Sequence, residues 1–175
     1  PAERVTLVDS GTVTMSLGYQ VLIGAEVAAE TGDVDQVLAA IAQVRANVRL
    51  VAMINSLDNL RRSGRINLAA AGIGALLQIK PIVTVEDGKI VILARVRTEK
   101  RAREELIEQM RAMAPLDRLS LLHANNWEGV AWMREQVADI VPDQTFELNL
   151  NPTLGCHVGP QSLGFVAVKK DWRLS

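Results

Sequence analysis

Apolar residues recur along this chain with two alternating periods, and the switches between them mark a succession of strands and helices. Val5-Thr6-Leu7-Val8 is a short apolar run ending in Asp9-Ser10, which reads as a buried strand opening into a loop. Val13 to Thr31 is apolar on most sides, with Gly18 and Gly24 inside it, and predicts a helix packed closely on a sheet. Asp33-Val34-Asp35-Gln36 then has the form of a cap with a reciprocal partner three residues on, opening a helix with the stripe Val34, Val37, Leu38, Ile41 and Val44. Arg49 to Ile54 is the next strand, and Asn55 to Arg62 a short helix.

From Ile66 the texture changes. Ile66 to Leu77 is rich in Ala and Gly and predicts a tight helix closed by Lys80-Pro81. Two β-branched runs, Ile82 to Val85 and Ile90 to Val96, are joined across Asp87-Gly88, the strongest short hairpin signal in the chain. Thr98 caps a helix to Met113 with Ala102, Leu106, Met110 and Met113 on one face. Leu119 to His123 reads as a strand, and Asn125-Asn126-Trp127-Glu128 as a capping box into a helix reaching about Ile140. Phe146 to Leu150 and Phe165 to Val168 are the last strands. The fold class is α/β: residues 1–71 form part of a parallel α/β/α sheet domain, and residues 72–175 a two-layer α+β domain with a mixed sheet. A buried strand of a parallel sheet needs neighbours on both edges. Because the chain starts at Pro1 and is almost at once in such a strand, it reads as a fragment whose Val5 to Val8 run pairs with a strand outside residues 1–175.

Composition then removes several classes of function. With 19 basic and 20 acidic residues mixed along 175, there is no basic stripe for nucleic acid. Three Trp, one Tyr and two Phe are too few for a base-stacking platform. A single Cys156 excludes an internal disulfide, and with only two histidines it argues against a structural zinc site. No apolar run reaches spanning length and no leader opens the chain, so the expectation is a cytoplasmic protein without an integral membrane segment.

The candidate chemistry is concentrated late. Gly155-Cys156-His157-Val158-Gly159-Pro160 reads as a glycine-punctuated loop that presents a histidine; it reads equally as a strand connection whose histidine merely bonds a carbonyl. Leu57 to Ile66 carries three arginines in five residues around Gly64, and Arg97 to Arg103 is a second basic cluster at a strand-to-helix junction. Each alone is an ordinary solvated turn, although cations in a first helical turn oppose the macrodipole. His123 ends a strand and reads as satisfied by backbone. Asp9-Ser10 follows the first strand, where open parallel sheets keep their ligand crevices. No catalytic constellation, phosphate-binding glycine loop or metal spacing is present.

Taken in order, these pieces resemble the DegV family of bacterial lipid-binding proteins. The matching elements begin with Val8-Asp9-Ser10 and Ser16-Leu17-Gly18, followed by Leu57 to Ile66 as Leu-x-x-Leu-x-x-x-Gly-Arg-Ile and by Ile79-Lys80-Pro81-Ile82. They continue with Asp87-Gly88, Arg97-Thr98 through Ala102, and Gly155-x-His157-x-Gly159-Pro160. The chain departs from the usual pattern at Gln161, where a third glycine is common, and at Cys156, where Thr is frequent.

The resemblance implies a two-domain protein, the chain covering its C-terminal three-fifths, in which a long-chain fatty acid lies with its carboxylate at the domain junction. It implies no cofactor and no catalytic residue. The ligand is the fatty acid itself, and a separate fatty acid kinase subunit converts it to an acyl phosphate. By motif position His157, with Gly155 and Gly159 beside it, would contact the ligand. Arg65 and Arg97 would meet the kinase or the acyl phosphate at the mouth, outside the tail pocket. The missing N-terminal segment would supply the remaining head-group hydroxyls. The rival reading is an enzyme related to dihydroxyacetone kinase, in which His157 holds a small carbonyl substrate. An apolar pocket ending at His157 favours the carrier; a small polar one favours the enzyme.

Overall fold

The computed structural model describes residues 5–55, 57–66 and 79–174. Two helices come first, α1 (Met15–Thr31) and α2 (Val34–Asn47), then β1 (Val48–Met53) and the short α3 (Asp58–Arg62). A hairpin of β2 (Lys80–Glu86) and β3 (Lys89–Val96) leads into α4 (Glu99–Arg111) and β4 (Leu116–His123). The chain continues through α5 (Trp127–Gln136), β5 (Thr145–Asn149), α6 (Pro152–Val158) and β6 (Leu163–Lys169). The helix expected over Ile66 to Leu77 lies almost wholly outside the described residues.

Local chemistry accounts for most of these elements. The Asp33 carboxylate accepts from the Asp35 N–H at 2.9 Å and from Gln36 Nε2 at 3.0 Å, so the cap forms, with Gln36 reaching the carboxylate. Thr98 Oγ1 accepts from the Arg101 N–H at 3.2 Å, and Ala102, Leu106 and Met110 beyond it are buried. Asn126 Oδ1 accepts from the Gly129 N–H at 2.9 Å, which starts α5 one residue later than the expected box. In the hairpin, Asp87 and Gly88 take φ of 46° and 73°, the positive values a two-residue type I′ turn requires. The stripe of α2 holds from Val37 on: Val44 is buried and Val37, Leu38 and Ile41 are half-buried, Ala40 joins the buried face, and Val34 is exposed.

The strands form one six-stranded mixed sheet in the order β3-β2-β1-β6-β4-β5. It draws β1 from the near side of residue 72 and five strands from the far side. β1 is antiparallel to both β2 and β6, so the parallel neighbours expected for it are absent; the parallel pair among the described residues is β4 with β5. The Val5 to Val8 run is not a strand here. Residues 5–10 have no ladder partner among the described residues, and Val5, Leu7 and Val8 are exposed. Both flanks of β1 are already filled, and the segment is instead tied down by Arg45, whose Nη1 donates to the Asp9 carbonyl at 2.9 Å.

Alternation along the strands gives the sheet two different faces. Val51 and Met53 of β1, with Leu121 and Phe165, pack into a core that also holds Leu106 and Met110 of α4 and Met133 of α5. On the opposite face α1 and α2 cover the lower half, where Tyr19, Ile23 and Val44 meet Val166 and Val168. Tyr19 bonds Ser120 Oγ at 2.7 Å, and burial pushes its phenol up to about 12. Among the described residues the upper half of this face is covered more thinly, by Leu57, Leu60 and Val158 over Ile54 and Val83.

In the register across this thinly covered half, Ala52 stands opposite Gly164 on one side and Val83 on the other, and Gly164 stands opposite Leu122. The two smallest residues thus lie side by side between bulkier shoulders. A Cβ at Gly164 would approach the Val51 carbonyl oxygen to 2.9 Å and the Ala52 Cβ to 3.1 Å. Gly164→Ala is therefore expected to destabilise the fold by about 1–3 kcal/mol, as overpacking does. Urea denaturation with an unchanged m-value checks it.

Candidate functional site

A cavity of ≈ 220 Å³ occupies the small-residue depression of the sheet. Its floor is Leu50, Ala52, Val83, Leu122 and Gly164; Leu60 of α3 and Leu154 and Val158 of α6 close over it. The polar side chains in the wall divide between the two ends of the sheet. His157, Arg65 and Ser162 lie at the upper end, where β1 finishes and β6 begins; Thr14 and Thr84 lie toward the lower end, near the β2–β3 turn.

The histidine is not on a loop. Asn151 Oδ1 accepts from the Leu154 N–H at 3.0 Å, Pro152 fills the first helical turn, and the one-and-a-half turns that follow carry His157 and Val158. Gly159, at φ 81°, ends the helix. The Asn151-Pro152 pair is an ordinary helix-start signal, and it was the clue to this helix. Recognising it puts Leu154 and Val158 four residues apart on one helix, both lining the cavity, which the sequence reading did not find. Gln161 takes φ 63°, a left-handed conformation that accounts for glycine being common there in the family pattern.

His157 Nδ1 is buried and has no hydrogen-bond partner among the described residues. Leaving an imidazole nitrogen unpaired in the wall of an apolar cavity is costly, and a ligand that hydrogen-bonds it would relieve that cost. Arg65 shares the cavity with it, brought there by the turn in which its own N–H donates to the Leu60 carbonyl at 2.8 Å. Arg65 is exposed and also lines the cavity, so after the turn at Gly64, φ 69°, it stands at the cavity's edge. Arg97 is exposed and does not line the cavity, yet it follows the upper end of β3, the same end of the sheet as His157. Gly155 and Gly159 are not lining residues. Gly155 faces open space, and a Cβ at Gly159 would come within 2.9 Å of Asn59 Nδ2, so Gly159 serves the contact between α3 and α6. The same seam is held by Asn55 Nδ2, which donates to the Pro160 carbonyl at 2.8 Å, and by Lys80 Nζ, which donates to Asn55 Oδ1 at 2.9 Å.

His123 lies apart from this group. Its Nδ1 accepts from the Asn126 N–H at 2.9 Å, its ring tilts against Trp127 at 4.1 Å, and its buried Nε2 has no partner among the described residues. The backbone therefore satisfies one nitrogen only. Burial holds the imidazole below its ordinary value of 6.5, with Glu147 opposing weakly. Since the folded state resists protonation, the stability it carries above 6.5 is lost as pH falls through that value. The thermal midpoint should drop between about pH 7 and about pH 5, and His123→Asn, which keeps an acceptor for Asn126, should flatten that slope. Equal slopes in both proteins would remove His123 as its source.

Among the described residues no group of three or more His, Cys, Asp or Glu could hold a metal ion, and no helix is long and apolar enough to cross a membrane. Apolar walls with an arginine and a histidine at one end are chemically suited to an amphiphile with an anionic head. The chain belongs to the DegV family, whose model, described as an uncharacterised protein family, matches residues 1–170. A DegV domain-containing protein of Listeria monocytogenes is 33% identical over 166 residues, covering 92% of this chain and 58% of the relative. Among solved structures, a fatty-acid-binding DegV family protein of Thermus thermophilus is 30% identical with a TM-score of 0.84, covering 95% of this chain and 61% of that one. DegV of Bacillus subtilis, a fatty acid binding protein, is 28% identical with a TM-score of 0.77, covering 94% and 61%. The chain thus spans about three-fifths of the length of these proteins.

Proposed function

We propose that the protein binds a long-chain fatty acid with its tail on the Ala52–Gly164 depression and its carboxylate against His157 and Arg65, and that it presents this carboxylate to a separate fatty acid kinase. The observation that carries the reading is the unmatched His157 Nδ1 in a wall that is otherwise mostly Val, Leu and Ile. Burying an acyl chain yields about 0.8 kcal/mol per methylene, so apolar walls supply most of the affinity. A carboxylate taken out of water needs donors; the Arg65 guanidinium provides charge-assisted ones and His157 a further one. Fatty acid binding by the Thermus and Bacillus relatives supports the same assignment. Arg97, exposed at the same end, is the cation a kinase would meet.

The protein is in this view a carrier without cofactor or phosphoryl-transfer chemistry of its own. Apolar walls suit a small carbonyl substrate poorly, which weighs against the enzyme reading. The partner of the Val5 to Val8 run falls, on this proposal, in the part of the family's length outside this chain. Mass spectrometry of lipid extracted from the intact purified protein is the test. A co-purifying fatty acid in near-stoichiometric amount is expected; a protein that neither retains nor takes up fatty acid would overturn the reading.

A further inference from the structure

The foot of the acyl cavity is not finished as an apolar end. Thr14 lines it there, and Thr14 Oγ1 is buried with no partner among the described residues. Thr14 is also held at φ 59°, a conformation costly to a β-branched residue and one that only its surroundings can enforce. Immediately beyond, a second cavity of ≈ 370 Å³ shares the walls Thr84 and Val85 with the first. Its character is opposite: Ser10, Thr12, Ser16 and Gln20 line it together with charged residues of α2, β1 and the β2–β3 turn.

Within this second cavity Gln20 is only 3% exposed. Its Nε2 donates to the carbonyls of Ser16 at 3.2 Å and Ser10 at 3.4 Å, which fixes the amide and leaves Oε1 buried without a partner among the described residues. Thr12 Oγ1 is in the same condition. This polar cluster spans two adjoining cavities: Thr14 lines the foot of the apolar one, whose histidine is at the other end, and Thr12 and Gln20 line the polar one beyond it. The strand between the two ends, Leu50 to Ile54, spans about 13 Å at roughly 3.3 Å per residue. An acyl chain anchored at His157 and Arg65 reaches this cluster with its middle or distal carbons.

The chemistry of the cluster selects the group it wants. Gln20 Oε1 is an acceptor only, so it needs a hydrogen donor, which a hydroxyl offers and a carboxylate does not. Arg45 and Arg49 are balanced by Glu86 and Asp87 in the same wall, and Arg45 already donates to Asp87 Oδ1 at 3.0 Å, so no net charge calls for an anion. We propose that the oxygens of Thr12, Thr14 and Gln20 receive a hydroxyl on the distal part of the bound acyl chain, making a hydroxylated fatty acid the preferred ligand over a plain one. This rests on the acyl-binding reading above and adds the class of chain.

Displacement of a fluorescent fatty acid from the intact protein tests it, with stearic acid compared against hydroxystearic acids bearing the hydroxyl at successive positions. One positional isomer is expected to bind roughly tenfold tighter than stearic acid, the others less, because the gain exists only where the hydroxyl meets the cluster. Gln20→Leu should abolish the preference while leaving stearic acid binding unchanged. Thr14→Val, which keeps the side-chain shape, should reduce it and guards against a folding defect in the first variant. Stearic acid binding as tightly as every isomer, or a preference that survives both substitutions, would overturn the assignment while leaving the carrier reading intact. If no fatty acid displaces the probe, both readings fall together.

Discussion

His157→Leu is expected to lose acyl binding by roughly tenfold to a hundredfold, the factor that corresponds to removing one hydrogen bond to a charged group, about 1.5–3 kcal/mol. Leucine keeps the side-chain volume, so the apolar walls should stay closed over the tail. The helix should persist as well, because its start is held by Asn151 and Pro152 and its end by Gly159, none of which uses the imidazole. The measurement is fatty acid content of the purified variant by mass spectrometry, followed by direct titration with a fluorescent acid. Unchanged affinity in a folded variant would take His157 out of the site and, with it, the observation on which the function rests.

The two arginines should separate holding from handing over. Arg65→Ala removes a guanidinium from the wall of the cavity and should lower fatty acid retention by a factor comparable to that for His157→Leu, roughly tenfold or more. Arg97→Ala alters an exposed cation, so retention should match the unmodified protein. Its effect should instead fall on acyl phosphate formation with the kinase, several-fold and mostly through encounter rate, and it should diminish as salt is raised. Rates measured against ionic strength for the two variants, each with its lipid content determined, check this. Normal lipid loading in Arg65→Ala would return that residue to the surface role; lipid loss in Arg97→Ala would place it at the carboxylate.

What was legible in the sequence is what short-range chemistry decides. Asp33, Thr98 and Asn126 announce helix starts through their own side-chain acceptors, and Asp87-Gly88 forces a turn by its backbone alone. His157 and Arg65, the residues the family motifs single out, both line one cavity, Arg65 as an exposed residue. The differences at β1 and at the cavity floor have a common origin in partners that lie far along the chain. β1 reads the same whether its neighbours run parallel or antiparallel to it. At His157 two local signals compete, Gly155 and Gly159 for a loop and Asn151-Pro152 for a helix start, and the helix forms. The cavity floor was invisible, since Ala52 and Gly164 are small residues whose meaning appears only when the register sets them side by side.

That meeting has a consequence for how the molecule is made. Ala52 and Gly164 are 112 residues apart in sequence, by the difference of their numbers, and they belong to the two strands at the middle of the sheet. Closing so long a loop is entropically slow, so the centre of this sheet is assembled after the local hairpin of β2 and β3 and the helices beside it. The floor of the cavity exists only once β6 has docked beside β1. A fatty acid bound as proposed would therefore stabilise only the state in which these two strands have met, by mass action.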